Sequence, residues 1–252
     1  MLKISPVPVF NDNYIWVLHT PTHALVVDPG DAGPICAWLA EQQLVLAGVV
    51  LTHGHPDHIG GLAGLLAAHP APVYGPGELA GVDHPVDEGD QIAPPGWPET
   101  LTVWATPGHT RHHLSYLLPG AVFCGDTLFA CGCGRIFDGT PAQLYASLIR
   151  LASLPDDTLV YCSHEYTLSN QQFAGQIEPD NAALSARRLR DQARRAAGLP
   201  TVPSRMAEEQ QTNPFLRVAQ PAVRRALADA GYAPLDTDLQ TFTALREWKN
   251  RF

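Results

Sequence analysis

Residues 45–61 read VLAGVVLTHGHPDHIGG, an apolar run ending at Leu51 that is followed at once by His53, His55, Asp57 and His58. A short Val/Leu-rich run of this kind predicts a β-strand. The loops at the carboxyl ends of strands in an α/β sheet form its binding crevice, so the histidines fall where chemistry is expected. Side chains alternate along an extended segment, which points His53 and His55 the same way across Gly54. Pro56 disfavours the helical region for His55 and keeps that segment extended. Asp57 and His58 then occupy a turn before the helical pattern IGGLAGLLAAH of residues 59–69.

Three further stretches repeat this placement: TPGHT after LTVWA, CGDT after AVF, and CSHEYT after TLVY. They add His109, Asp126 and His164 to the set. Five imidazoles and two carboxylates exceed what one tetrahedral ion takes and suit two ions with a bridging carboxylate. The competing reading, ordinary surface or hydrogen-bonded core histidine, is kept for His19, His23, His69 and His84.

The pattern around these sites predicts an α/β chain. Strands are expected in LKISPVPVF, NYIWVLHT, HALVVDPG, LVLAGVVLT, LTVWATPG, HLSYLLPG, AVFCGD and TLVYCSH, with a helix in PICAWLAEQQ. Another helix is expected over TPAQLYASLIRLASL, where Thr140 is the N-cap, Pro141 opens the first turn and Gln143 completes a capping box. From Asn181 onward strand signals vanish and three helical patterns follow, NAALSARRLRDQARRAAG, PAVRRALADAG and LQTFTALREWKN. A boundary near residue 170 is therefore expected, giving domains 1–170 and 171–252.

Charge divides in the same way. Residues 1–179 hold 4 Lys and Arg against 17 Asp and Glu, whereas residues 180–252 hold 12 against 8, within a total of -9. The acidic larger part argues against nucleic acid as a partner, because phosphate contacts need a basic face. Arg187, Arg188, Arg190, Arg194 and Arg195 read as a solvated helix face. No apolar stretch reaches membrane-span length and no basic leader precedes the first strand, so a soluble chain without an export signal is expected. Five cysteines, an odd number without paired zinc-site spacing, suit a reducing cytoplasm. Cys131 and Cys133 flank Gly132 and read as inert loop residues, with a redox pair as the alternative.

On these motifs the sequence resembles the metallo-β-lactamase superfamily and, within it, the glyoxalase II or hydroxyacylglutathione hydrolase family. The H-x-H-x-D-H motif marks the superfamily alone. The resemblance to glyoxalase II rests on GDTLFACGCGRIFDGT, HEYT and the C-terminal R-x-x-K, and spans nearly the whole chain. It implies an αββα sandwich followed by a small all-helical domain. It implies two divalent ions, zinc first with iron or manganese as alternatives: His53, His55 and His109 hold one, Asp57, His58 and His164 the other, and Asp126 bridges. Asp57, His58 and Asp126 would be the catalytic set. The substrate implied is S-D-lactoylglutathione, held by Arg135, Tyr166, Arg246 and Lys249, with Phe137 where some members carry Tyr. His112 stands where the family has Gly, and Asn250 where Asp is common.

Two bound ions would bring the pKa of a bridging water toward roughly 7 and supply hydroxide for the thioester carbonyl. A thiol with a reference pKa of about 8.5 leaves as thiolate without a strong acid. Taken together, the resemblance implies a thioester hydrolase that acts in methylglyoxal detoxification on a small glutathione thioester, expected as a cytoplasmic monomer with neither nucleic acid nor membrane as partner. The alternatives are a one-iron glutathione persulfide dioxygenase and a metal-binding protein without turnover.

Overall fold

The computed structural model describes residues 2–252 and divides by packing into two compact units. The first comprises the chain up to Ala105 together with His112–Gly125, and the second comprises Thr106–Arg111 and Asp126–Phe252.

The first unit holds β1 (Lys3–Val9), β2 (Asn13–His19), β3 (His23–Val27), α1 (Ala32–Gln42), β4 (Val45–Val50), the single turn α2 (Pro56–Ile59), α3 (Leu62–Ala68), β5 (Val73–Gly75), β6 (His84–Pro85), β7 (Gln91–Ile92), β8 (Leu101–Ala105), β9 (Leu114–Leu118) and β10 (Ala121–Gly125). One sheet runs in the order β1-β2-β3-β4-β5-β6. Its first three strands are antiparallel, and β3 through β6 pair in parallel. Strands β7 to β10 form a second, antiparallel array in sequence order.

The apolar run at residues 45–51, read as a strand, is β4, and its residues from Leu46 to Val50 are all buried, as a strand covered on both faces requires. Helix α1 starts at the Asp31 cap, whose side chain accepts from Gly33 N at 2.9 Å. It presents Ile35 and Leu39, and α3 presents Leu62 and Leu65, to a core built from Val17, Val26, Val49 and their neighbours. Mixed sheets flanked by helices are thus present, as the sequence reading expects.

The second unit holds β11 (Leu128–Phe129), β12 (Gly132–Cys133), α4 (Pro141–Ala152), β13 (Leu159–Cys162), α5 (Thr167–Ile177), α6 (Ala182–Ala196), β14 (Ser204–Arg205), α7 (Met206–Thr212), a 3-10 turn at Pro214–Leu216, α8 (Pro221–Asp229) and α9 (Asp238–Arg251). The capping box at α4 forms as read, with Gln143 N donating to Thr140 Oγ1 at 3.2 Å and Thr140 N donating to Gln143 Oε1 at 2.9 Å.

Two expectations are corrected. Strands do not end before Asn181, because β14 pairs with β13; two residues are too few to leave an alternating pattern. The turn read for Asp57 and His58 is the single helical turn α2, where Pro56 at the first position presets the helical φ. Arg187 is not on a solvated face. It is 2% exposed, with Nη2 donating to Glu209 Oε1 at 2.6 Å and Nη1 to Thr212 Oγ1 at 2.7 Å. Residue 170, near which the boundary was read, lies inside α5.

Candidate metal centre

In the first unit β4 delivers Leu51 and Thr52 into the core and then His53, which is fully buried. His55 is extended, with φ -68° and ψ 144°, and its ring meets that of His53 edge-on, with centroids 4.6 Å apart. His53 Nε2 and His55 Nδ1 stand 2.9 Å apart. His58 lies against His53 with ring centroids 4.1 Å apart, and its Nε2 is 3.6 Å from Asp57 Oδ2. Asn13 Nδ2 donates to that same Asp57 oxygen at 2.9 Å.

Proton positions here follow from Asp28, a residue the sequence reading did not single out. Its Oδ1 accepts from Thr52 N at 2.7 Å, and its Oδ2 accepts from the Thr52 hydroxyl at 2.6 Å and from His58 Nδ1 at 2.9 Å. A carboxylate only accepts, so His58 carries its proton on Nδ1 and presents a lone pair at Nε2. The Thr52 hydroxyl has given its proton to Asp28 and therefore accepts from His53 Nδ1, 3.0 Å away. His53 Nε2 is thereby also left with a lone pair. One carboxylate sets two imidazoles in the tautomer that binds a cation, the usual arrangement behind metal-ligating histidines.

Asp28 adopts φ 50°, a left-handed conformation that Asp tolerates better than most residues. Gly30 follows because a Cβ there would stand 1.9 Å from Asp57 O. The signal available in sequence was VVDPG, a strand that breaks into Asp-Pro-Gly. His113, also missed, stacks on His53 with centroids 4.9 Å apart, whereas His112 is exposed.

In the second unit Asp126 reaches two imidazoles at once. Its Oδ2 is 3.4 Å from His109 Nε2 and its Oδ1 is 3.4 Å from His164 Nε2. Both distances exceed the roughly 2.7–2.9 Å of a charge-assisted hydrogen bond. Ligand atoms held tetrahedrally at about 2.0–2.2 Å from one zinc stand about 3.4 Å apart, so the spacing fits cations between them. All three side chains are buried.

Local bonds fix these side chains. His109 Nδ1 donates to Arg135 O at 2.6 Å, which leaves Nε2 facing Asp126. The loop carrying His109 is held by Phe137 N donating to His109 O at 3.0 Å and by Ser147 Oγ of α4 donating to Pro107 O at 2.7 Å. His164 follows β13 and lies flat on Tyr166, with centroids 4.5 Å apart and planes at 6°. Gly134 has no room for a side chain, because a Cβ would stand 2.0 Å from Asp126 O.

The residues read as substrate contacts differ in setting. Arg135 is exposed, Phe137 is 63% exposed and meets the His109 ring edge-on, and Tyr166 is 37% exposed. Arg246 is 6% exposed, and its Nη1 donates to Cys133 O at 2.8 Å and to Gly134 O at 3.3 Å. Lys249 places Nζ over the rings of Phe173 and Phe252, 5.2 and 4.9 Å from their centroids. Burial, followed by the nearby Arg246 charge, pulls the Lys249 amine down to about 8. Cys131 and Cys133 are both buried; burial pushes the Cys131 thiol up to about 12 and raises Cys133 as well, so neither is poised as a thiolate.

Among the described residues, no helix is long and apolar enough to cross a membrane. The family model for the metallo-beta-lactamase superfamily matches residues 9–84 and 75–164, and that for the hydroxyacylglutathione hydrolase C-terminus matches residues 165–252. A hydroxyacylglutathione hydrolase of Cupriavidus taiwanensis is 51% identical, with all of both chains covered. Among solved structures, ETHE1 from Myxococcus xanthus is similar at 26% identity and a TM-score of 0.66, covering 98% of each chain. TTHA1623 in a di-iron-bound form is similar at 28% identity and a TM-score of 0.55, covering 64% of this chain and 91% of its own. With matches that run from the first histidine cluster through the last helix, the chain belongs to the metallo-β-lactamase superfamily and, within it, to the hydroxyacylglutathione hydrolase family.

Proposed function

We propose that this chain hydrolyses S-D-lactoylglutathione to glutathione and D-lactate, as a monomer in the cytoplasm, and so removes the product of methylglyoxal conjugation. The observation that carries the reading is the Asp126 carboxylate, with one oxygen 3.4 Å from each of two buried imidazole nitrogens, in a chain 51% identical to a hydroxyacylglutathione hydrolase.

His53, His55 and His109 would hold one ion, Asp57, His58 and His164 the second, and Asp126 would join them; zinc suits this donor set, and iron or manganese also does. When bound, two such ions supply hydroxide near neutral pH and polarise the thioester carbonyl. The donors of this chain fit that role because His53, His58 and His109 each have the far nitrogen tied to an acceptor. Asn13 orients Asp57. No strong proton donor is required, since the thiol leaves as thiolate.

Arg135 and Lys249 would orient the two carboxylates of the glutathione moiety, Tyr166 and Phe137 would line its thioester end, and Arg246 would set the wall behind them. We assign residues 1–170 to the metal domain, whose Arg135, Phe137 and Tyr166 also reach the substrate, and 171–252 to the helical substrate-binding domain; the two family models, which meet at residues 164 and 165, support a division near that point.

Lys249 gives this reading a pH signature. Its amine is protonated below about 8 and neutral above, so the positive charge offered to a substrate carboxylate fades as pH rises through that value. KM for the thioester is expected to climb above about pH 8, and Lys249→Arg is expected to move that climb to higher pH. Lys249→Ala is expected to raise KM about tenfold at neutral pH with metal content unchanged, the size of one charge-assisted contact. A flat KM from pH 7 to 9 in the parent chain would remove Lys249 from the binding site.

The decisive assay follows thioester loss from S-D-lactoylglutathione with metal-loaded and chelator-stripped chain, with oxygen uptake on glutathione persulfide alongside. Metal-dependent cleavage without oxygen uptake is the expected result. Oxygen uptake without cleavage would transfer the assignment to a persulfide dioxygenase, and neither activity to a metal-binding protein.

A further inference from the structure

The hairpin β11–β12 is held by side chains that the reaction itself does not use. It has two residue pairs, Leu128 with Cys133 and Phe129 with Gly132. A ladder this short does not hold its own shape in water. Its tip also carries a non-glycine residue in the left-handed region, Cys131 at φ 55°.

Three side chains take up the backbone groups at that tip. Glu209 Oε2 of α7 accepts from Cys131 N at 2.9 Å. Asn213 Nδ2 donates to Phe129 O at 3.1 Å and to Gly132 O at 2.9 Å, and Asn170 Nδ2 of α5 donates to Ala130 O at 3.0 Å. Glu209 is fully buried, and its charge is met by the equally buried Arg187. A buried ion pair is a weak source of stability, and fixing one geometry is among the uses that retain it.

One flank of the hairpin leads to a residue read as a metal ligand and the other to the backbone group that holds a second. Asp126 lies two positions before β11, and Arg135, whose carbonyl accepts from His109 Nδ1, lies two positions after β12. Gly134 N closes the base by donating to Thr127 O at 3.2 Å. Loss of the hairpin's shape would shift the Asp126 carboxylate and release the bond that sets the His109 tautomer.

We infer that Glu209, Asn213 and Asn170 are positioning residues for Asp126 and His109, acting through the backbone of the β11–β12 hairpin. The inference rests on the reading of Asp126 and His109 as metal ligands. It gives the C-terminal helical region a second task, shaping the metal centre from behind.

The test compares full-length parent, Asn170→Ala, Asn213→Ala and Glu209→Gln chains, with Arg224→Gln as a control that breaks the Arg224–Asp238 pair, which lies outside the Arg187–Glu209 network. Each is stripped by chelator and titrated with Zn2+ against a chromophoric chelator, and with Co2+ to record its visible spectrum. Zn2+ affinity about tenfold lower and an altered Co2+ spectrum are expected in the three hairpin variants, at the lower end of the range for residues behind metal ligands, with Arg224→Gln like the parent. Should Glu209→Gln fail to fold, Asn170→Ala, which removes one hydrogen bond, still decides the matter. Hairpin variants that unfold cooperatively and match the parent in affinity and spectrum would overturn the inference. A parent chain that takes up no metal would instead overturn the metal centre, and the inference with it.

Discussion

Asp126→Ala is expected to reduce metal content from two ions per chain to one or fewer and to cut thioester turnover by at least about 10³-fold. Asp126 is the residue whose two oxygens face two different imidazole nitrogens, each at 3.4 Å, so no other single substitution removes an anionic donor from both at once. Loss of one preorganised electrostatic contact at a reacting centre costs about 10²–10³-fold in turnover elsewhere, and on the proposed function the contact would also retain the ions that supply the nucleophile. Asp126→Asn keeps the shape but surrenders the charge, and an intermediate metal content is expected. The measurement is metal per chain after equilibrium dialysis, with turnover on the same samples. Two ions retained in Asp126→Ala would remove the bridging role, whatever happened to turnover.

What could be read from sequence was whatever is local in the chain. Strand β4 and the two histidines after it are legible because one apolar run, one glycine and one proline fix their path within about ten residues. The α4 cap is legible because Thr140 and Gln143 are three positions apart. Asp28 was not, because its partners Thr52 and His58 lie 24 and 30 positions away and nothing near Asp28 announces them. Arg187 was misread for the same reason, since its buried partners are 22 and 25 positions along the chain while its neighbours are solvated arginines. Helix α5 escaped because it begins at Tyr166 without a side-chain cap and buries Asn170 and Gln171 beside Phe173 and Ile177, which hides the apolar stripe. Polar residues buried for the sake of distant backbone groups look, in sequence, like surface.

Asp28→Asn is expected to lower metal affinity by about 10- to 100-fold while leaving the fold intact, the range seen when a hydrogen-bond partner behind a metal ligand is changed. Asn tolerates the left-handed backbone at this position, so the substitution tests the carboxylate and not the turn. The new amide has one way to sit. Thr52 N, which donates at 2.7 Å, requires an acceptor, so the amide oxygen must stay there and the amide nitrogen must replace Oδ2. That nitrogen would then donate to His58 Nδ1 and to the Thr52 hydroxyl, where the carboxylate accepted from both. His58 would have to move its proton to Nε2. The Thr52 hydroxyl, no longer donating to residue 28, would turn its proton toward His53 Nδ1 and force the same change there. Two imidazoles would thus present N–H groups where a cation needs lone pairs, and a metal could bind only after paying to reverse both. Nitrogen-15 spectra of the histidine rings in the metal-free chain check this directly: Asp28→Asn should show His53 and His58 switched to the Nε2–H tautomer, with Zn2+ affinity reduced in step. Unchanged tautomers with reduced affinity would place the effect in the charge of Asp28 alone, and unchanged affinity would show that Asp28 serves only the turn between β3 and α1.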